Sequence, residues 1–399
     1  MKILIITPFY YIEGRPDLKH DTNAIHYFAK YWSDNNEVKV LNVYPHSYKD
    51  AKRYISKKNR KYYKNGYVFV KDNVEICIAE VQKLPGQKGD YNFWQCQHII
   101  GIFKRWIDCN SFCPDVILIH VPSYAYKYME KIRKYIGKKI PIIGILHKTD
   151  IEELERNCKL KRFFENSFQE IYARSHGIRR KAGLLGLKNL KQDIIQSGIP
   201  LEQSEGKSAP YTIDTQLKII FVGKLIPLKN VDKIIDAITR INNEKIRLEI
   251  VGSGIEEKKL KQLVKDCGIQ NQVEFVGKLQ RELVFEHMAN ANLFCMPSYP
   301  ETLGLTYLEA MSVGCVPIGS QGEGIDGIII DGKNGYLVTP SNVVNDLIEK
   351  IELYCQLSNS DRKQISENAK ATVMKLDESV CAECYLGIIR RSIRDAANK

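Results

Sequence analysis

The chain has 399 residues, 44% of them hydrophobic, and a formal net charge of +12. Such a length exceeds what one hydrophobic core usually organises and predicts two domains of roughly 150–200 residues each. Apolar runs such as IPIIGIL at 140–146 fall far short of the roughly 18–20 residues a bilayer-crossing helix needs, which excludes a membrane-spanning helix.

The first run, KILIIT (2–7), is β-branched and closed by Pro8, with no small-residue cleavage site after it, so it reads as a buried strand and not as a secretory signal. EVKVLNVY (37–44) is the next strand. Then comes SYKDAKRYISKKNRKYYKNGY (47–67), where eight basic residues meet one acid and five tyrosines. Residues 1–200 carry 35 Lys and Arg against 20 Asp and Glu, whereas 201–399 carry 24 against 27. This composition suits either an anionic surface, whether membrane headgroups or nucleic acid, or a solvated basic loop. On the membrane reading Lys57, Lys58, Arg60 and Lys61 are the contact residues. FWQCQHIIGIFKRWI (93–107) has near-helical apolar spacing, which fits a core helix or a helix lying on a membrane.

DVILIHV (115–121), PIIGILH (141–147) and EIYARS (170–175) continue the alternation of strands and amphipathic segments that marks a parallel α/β sheet. IPLEQSEGKSAPYTID (199–214) interrupts it as a polar linker. The rhythm restarts with LKIIFVG (217–223), IRLEIVG (246–252), QVEFVG (272–277), ANLFCMPS (291–298), CVPIGS (315–320) and GYLVT (335–339), predicting a second doubly wound domain with its ligand at the carboxyl ends of the strands. The expected boundaries are 1–200 for the first domain, 201–214 for the linker, 215–375 for the second domain and 376–399 for a helical tail packing back on the first.

Within the second half, FVGKLIPLKN (221–230) sets Lys224 and Lys229 around a loop that leads from Gly223 into a helix, an arrangement able to hold an anion or simply to expose two lysines. VGSG (251–254) is a strand-to-helix turn whose following Glu256 and Glu257 suit the helix dipole. In PETLGLTYLEAMSVG (300–314), Glu301 lies in a loop and Glu309 inside a helix ended by Gly314. Free backbone N–H groups around Thr302 to Leu305 would make an anion site between the two glutamates, while a surface helix with a capping glutamate explains the same residues. The eleven cysteines show no paired spacing beyond Cys381 and Cys384, so we expect reduced thiols and a cytosolic chain.

FVGKLIPLKN, VGSG, FVGKLQRELVFEHMANANLFCMPS, ETLGLTYLEAMSVGCVPIGS and GIIIDGKNGYLV follow the order found in family 4 retaining glycosyltransferases, which the chain resembles most strongly over 217–340. PDVILIHVPS, IGILHKTD, ARSHGIRRK and SGIP fit the family more loosely. The resemblance implies a GT-B fold, α/β with two doubly wound Rossmann-like domains and the active site in the cleft between them. It implies catalytic roles for His147, Glu301 and Lys229, with Glu301 facing the donor sugar and His147 near its reacting carbon. Donor binding would fall to Gly14, Gly223, Lys224, Lys229, Glu301, Thr302, Leu303, Gly304, Leu305, Thr306 and, through the ribose, Glu309. Lys224 stands where the family usually has arginine, and Gly14 stands alone where members often carry paired glycines.

The implied reaction moves a sugar from a nucleotide-diphosphate sugar, a UDP-sugar as first guess, to a glycan or lipid-linked acceptor in surface polysaccharide assembly. No Asp-x-Asp pair occurs, so a metal-independent enzyme without a cofactor is expected, cytoplasmic and peripheral on the inner face of the membrane. A nucleotide-sugar epimerase or phosphorylase on the same fold is the competing reading. A nonenzymatic nucleic-acid-binding protein is another, although no nucleic-acid module supports it and no nucleic-acid partner is expected.

Overall fold

A computed structural model describes residues 1–15, 17–18, 23–46, 57–85, 87, 91–137 and 140–398, and for 57–60 the backbone alone. The chain divides into two units, Met1–Arg174 with Ile178–Ser197 and Cys381–Lys399, and Ser175–Gly177 with Gly198–Val380.

In the first unit the strands are β1 (Lys2–Thr7), β2 (Glu37–His46), β3 (Tyr67–Lys71), β4 (Val74–Gln82), β5 (Val116–His120), β6 (Ile142–Leu146), β7 (Glu170–Ala173) and β8 (Leu190–Ile194). They form one sheet in the order β3-β4-β2-β1-β5-β6-β7-β8. Only the β3–β4 pair is antiparallel among these described strands. Strands β5 and β6 are buried on both faces, which is why they read as unbroken apolar runs instead of alternating ones.

The helix Phe93–Cys109 begins with a capping box between Asn92 and Gln95. It directs Cys96, Ile99, Ile100, Ile102, Phe103, Trp106 and Ile107 into the core. Core packing, and not a bilayer, therefore occupies its apolar face; Phe93 and Trp94 remain outside, 58% and 78% exposed. The terminal helix Glu378–Ala397 belongs to this unit from Cys381 onward. Its Tyr385 packs edge-on against Phe28 and Trp32, and Trp32 donates its indole N–H to the Ala382 carbonyl at 2.9 Å.

The second unit contains β9 (Leu217–Val222), β10 (Ile246–Val251), β11 (Val273–Gly277), β12 (Leu293–Cys295), β13 (Val316–Ser320) and β14 (Tyr336–Val338). All pairs are parallel, in the order β11-β10-β9-β12-β13-β14. Counted from β9 this is the 3-2-1-4-5-6 order of dinucleotide-binding sheets, with the reversal between β9 and β12. At such a reversal the loops leaving the carboxyl ends of the two strands turn to opposite faces of the sheet, which is where a crevice forms in doubly wound folds.

The VGSG turn acquires a steric reason. Gly252 has φ +138°, and a Cβ on it would stand 1.8 Å from the Gly223 carbonyl oxygen; one on Gly254 would stand 2.2 Å from that of Leu225. Only glycine lets the β10 loop lie this closely on the β9 loop. Gly252→Ala is expected to lower the unfolding free energy by at least about 2 kcal/mol in urea titration, from strained backbone and clash together. Unchanged stability would contradict this packing.

Candidate functional site

The crevice of the second unit is built by two loops. After β9 the chain passes Gly223 and exposed Lys224, makes one 3₁₀ turn at Pro227–Lys229, and enters the helix Val231–Ile241. After β12 it runs through Pro297 and Glu301 to Gly304, whose φ of +74° turns it into the eight-residue helix Leu305–Ser312. The loops are tied together by Asn230 Nδ2 donating to the Pro297 carbonyl at 2.7 Å and by the Tyr299 N–H donating to Leu228 at 2.9 Å.

Between them Lys229 Nζ lies 2.5 Å from Glu301 Oε2 and 3.7 Å from Met296 Sδ. Glu301 also accepts from the Thr302 N–H at 3.1 Å, and its own N–H donates to Glu323 at 2.6 Å. Leu305 and Thr306 are partly exposed, and as the first helical residues their N–H groups have no intrahelical acceptor. Lysine, carboxylate and helix N-terminus thus meet at one spot, where an anion gains from the dipole and from Lys229. Leu303 is buried. Glu309 lies farther along the same helix and accepts from Arg281 Nη2 at 2.7 Å.

Lys224 stands apart from this cluster. With Gly223, Ser253, Lys278 and Leu279 it lines a pocket of about 320 Å³ at the carboxyl ends of β9, β10 and β11.

His147 belongs to the first unit, at the end of β6, where its N–H donates to Asp150 at 2.7 Å. Its Nε2 is 3.1 Å from Nδ1 of His120, the last residue of β5. Burial, with the charge of Arg174 adding to it, pushes the His147 imidazole down to about 3, and His120 is likewise held well below its usual value. Both rings are neutral at pH 7. Burial raises the Asp150 carboxyl to about 7 although it accepts from the backbone of Ser123 as well as His147. Val121, between His120 and Pro122, holds φ +57°, a strained conformation for a β-branched residue.

Gly14 is also in the first unit; its φ is +74°, and a Cβ there would meet the Tyr67 hydroxyl at 2.3 Å. Lys61 is exposed on the helix Lys57–Asn65, whose Lys57, Lys58 and Arg60 are described as backbone only, and residues 47–56 of the basic segment lie outside the described residues.

Sequence reasoning missed Arg281, Lys278, Glu323, His120 and Asp150. Arg281 and Lys278 were visible as cations beside a strand end, and HKTD (147–150) as a capping pattern. Nothing local announces that Glu323 reaches Glu301. Among the described residues no group of three or more His, Cys, Asp or Glu is placed to hold a metal ion, and no helix is long and apolar enough to cross a membrane.

The architecture is that of GT-B glycosyltransferases. The structure of Anabaena HepE in complex with UDP superimposes with a TM-score of 0.67 over 98% of this chain and 100% of that one, at 17% identity. Residues 204–372, less than half of the chain, match the family model of glycosyl transferases group 1. An uncharacterized glycosyltransferase of Methanocaldococcus jannaschii is 29% identical over 61% of this chain, and the match spans just under two thirds, 66%, of that relative. N-acetyl-alpha-D-glucosaminyl L-malate synthase of Bacillus anthracis is 26% identical over 64% of this chain and 71% of its own length. These matches make the chain similar to glycosyltransferases, with the GT-B fold.

The depressed imidazole has a measurable sign. A histidine neutral in the fold but basic when unfolded contributes stability above pH 6.5 that is lost as the pH falls toward 3. The ring signals of His147 in an NMR titration should therefore stay at their neutral position from pH 8 to about 5, whereas an ordinary midpoint near 6.5 would contradict the buried pair.

Proposed function

We propose that the protein is a metal-independent, retaining glycosyltransferase of the family 4 kind, moving a sugar from a nucleotide-diphosphate sugar, UDP-linked as first choice, to a glycan or lipid-linked acceptor in surface polysaccharide assembly. One observation carries the reading: at the strand-order reversal of the second unit, Lys229, Glu301 and the amino end of Leu305–Ser312 converge. A diphosphate leaving group makes the largest charge demand of such a reaction, and a lysine with a helix N-terminus answers it without a metal.

In this reading the bond from the anomeric carbon to the diphosphate oxygen breaks with its electron pair leaving on the diphosphate. The acceptor hydroxyl oxygen bonds that carbon from the same face, and its proton passes to the departing phosphate oxygen. Lys229 moves from Glu301 onto the diphosphate, joined by the Leu305 and Thr306 N–H groups, which frees Glu301 to accept from sugar hydroxyls. Glu309 accepts from the ribose, and the pocket beside Lys224 and Lys278 takes the base. Neutral His147 serves as a hydrogen-bonding group toward the donor sugar and not as a fixed charge.

The acceptor side includes docking on an anionic bilayer. Support comes from the basic first half and from Phe93 and Trp94, exposed side by side with Lys131 Nζ 4.6 Å from the Phe93 ring. Anionic vesicles at low salt should co-sediment the protein, and Phe93→Ser/Trp94→Ser or neutralised Lys57, Lys58, Arg60 and Lys61 should release it. Equal recovery with neutral vesicles would remove the membrane from the account.

Lys229→Ala is expected to keep the fold and slow sugar transfer by roughly a hundredfold or more, the usual cost of one lost oxyanion contact. Wild-type turnover in a folded variant would refute the assignment. Glu309→Gln should weaken UDP binding more than it slows the chemical step, because a ribose contact is alike in ground and transition states.

A further inference from the structure

Three neighbouring strands of the first unit end in groups that carry or accept positive charge. His120 closes β5, His147 follows β6 and Arg174 follows β7. Arg174 is only 5% exposed. It donates through Nη2 to Ser197 Oγ and lies with its guanidinium 5.5 Å from the Phe28 ring centroid, yet its Nη1 has no partner. No carboxylate pairs with it among the described residues. Asp150, joined to His147, already turns its two oxygens to the backbone N–H groups of Ser123 and His147.

Two further buried polar atoms stand unpartnered nearby. Nε2 of His120, a residue 1% exposed, has none, and neither does the hydroxyl of Tyr385, 2% exposed, whose ring lies 6.3 Å from that of His120. The Phe28 ring beneath the Arg174 guanidinium also meets Tyr385 edge-on at 5.3 Å, and Tyr385 in turn meets His120, so these groups share one environment. A buried guanidinium without a counter-charge is costly. Water satisfies a donor but does not neutralise the charge, and an oxyanion does both. His147, partly exposed, gives the cluster its opening.

We propose that Arg174, His120 and Tyr385 form a buried site for one oxyanion, the carboxylate or phosphate group of an acceptor, at the carboxyl ends of β5–β7. That the acceptor carries the anion rests on the transferase reading; the site itself does not. Planar carboxylate and tetrahedral phosphate both present oxygens to the free Nη1 edge of the arginine, with the Tyr385 hydroxyl donating and the His120 ring adding a second donor in the matching tautomer.

The test is isothermal titration of the full chain with inorganic phosphate and, separately, with L-malate, each with and without saturating UDP so that the second unit's own anion site is blocked. We expect at least one probe to bind the wild type one to one. Arg174→Met should weaken that binding at least tenfold, and Arg174→Lys should weaken it less. Without added anion, the Arg174→Met protein should melt at or above the wild-type temperature, because an unpaired buried charge has been removed. Absence of binding by either probe up to about 10 mM would overturn the site, as would equal affinity in Arg174→Met. A lower melting temperature of Arg174→Met would make the guanidinium a structural group and overturn it too. Failure of UDP itself to bind would instead sink the transferase reading, while the dependence of phosphate or malate binding on Arg174 would still decide the oxyanion site.

Discussion

The reversal of strand order at β9 is the constraint on which the second unit depends. Right-handed crossovers from β9 toward β10 and from β12 toward β13 carry their helices to opposite sides of the sheet, so the loops leaving β9 and β12 part and expose backbone. One parted loop supplies Lys229 and the other supplies Glu301 and the start of Leu305–Ser312. Their meeting at 2.5 Å follows from the topology, since 72 residues of chain separate them.

Close backbone approach then fixes that geometry. Gly252 and Gly254 bring the β10 turn onto the β9 loop, and Gly324 does the same farther along: a Cβ there would stand 1.9 Å from the Thr302 carbonyl oxygen. The Glu301 N–H bonded to Glu323, and the Gly324 N–H bonded back to the Glu301 carbonyl, hold the glutamate from both sides. A charged pair positioned this way is preorganised: a ligand anion has only to exchange with Glu301 for Lys229, with little backbone movement. In the first unit burial acts differently. It keeps His120 and His147 neutral, leaving Arg174 as the fixed charge at its three strand ends.

The strands of the second unit were legible because a parallel sheet covered on both faces needs continuous β-branched runs, as in LKIIFVG and IRLEIVG. The β3–β4 hairpin went unread: its turn is Asp72-Asn73, both at positive φ, without the glycine that usually signals such a turn, and β3 alternates exposed Val68 and Val70. β8, reading LKQDI, is an edge strand too polar for its period to show. The spacing of Glu301 and Glu309 was visible, but their partners Lys229, Glu323 and Arg281 come from distant segments, and only folding pairs them. The helix 93–107 shows the limit of periodicity: an apolar stripe fits a core as well as a bilayer, and the strands behind it decide which.

The most direct measurement of the central claim is a crystal structure of the protein with a bound nucleotide-diphosphate sugar. The account predicts diphosphate oxygens within about 3 Å of the Leu305 and Thr306 N–H groups, with Lys229 Nζ withdrawn from Glu301 onto the phosphate. A nucleotide bound elsewhere in the chain, with the Lys229–Glu301 pair intact, would contradict it.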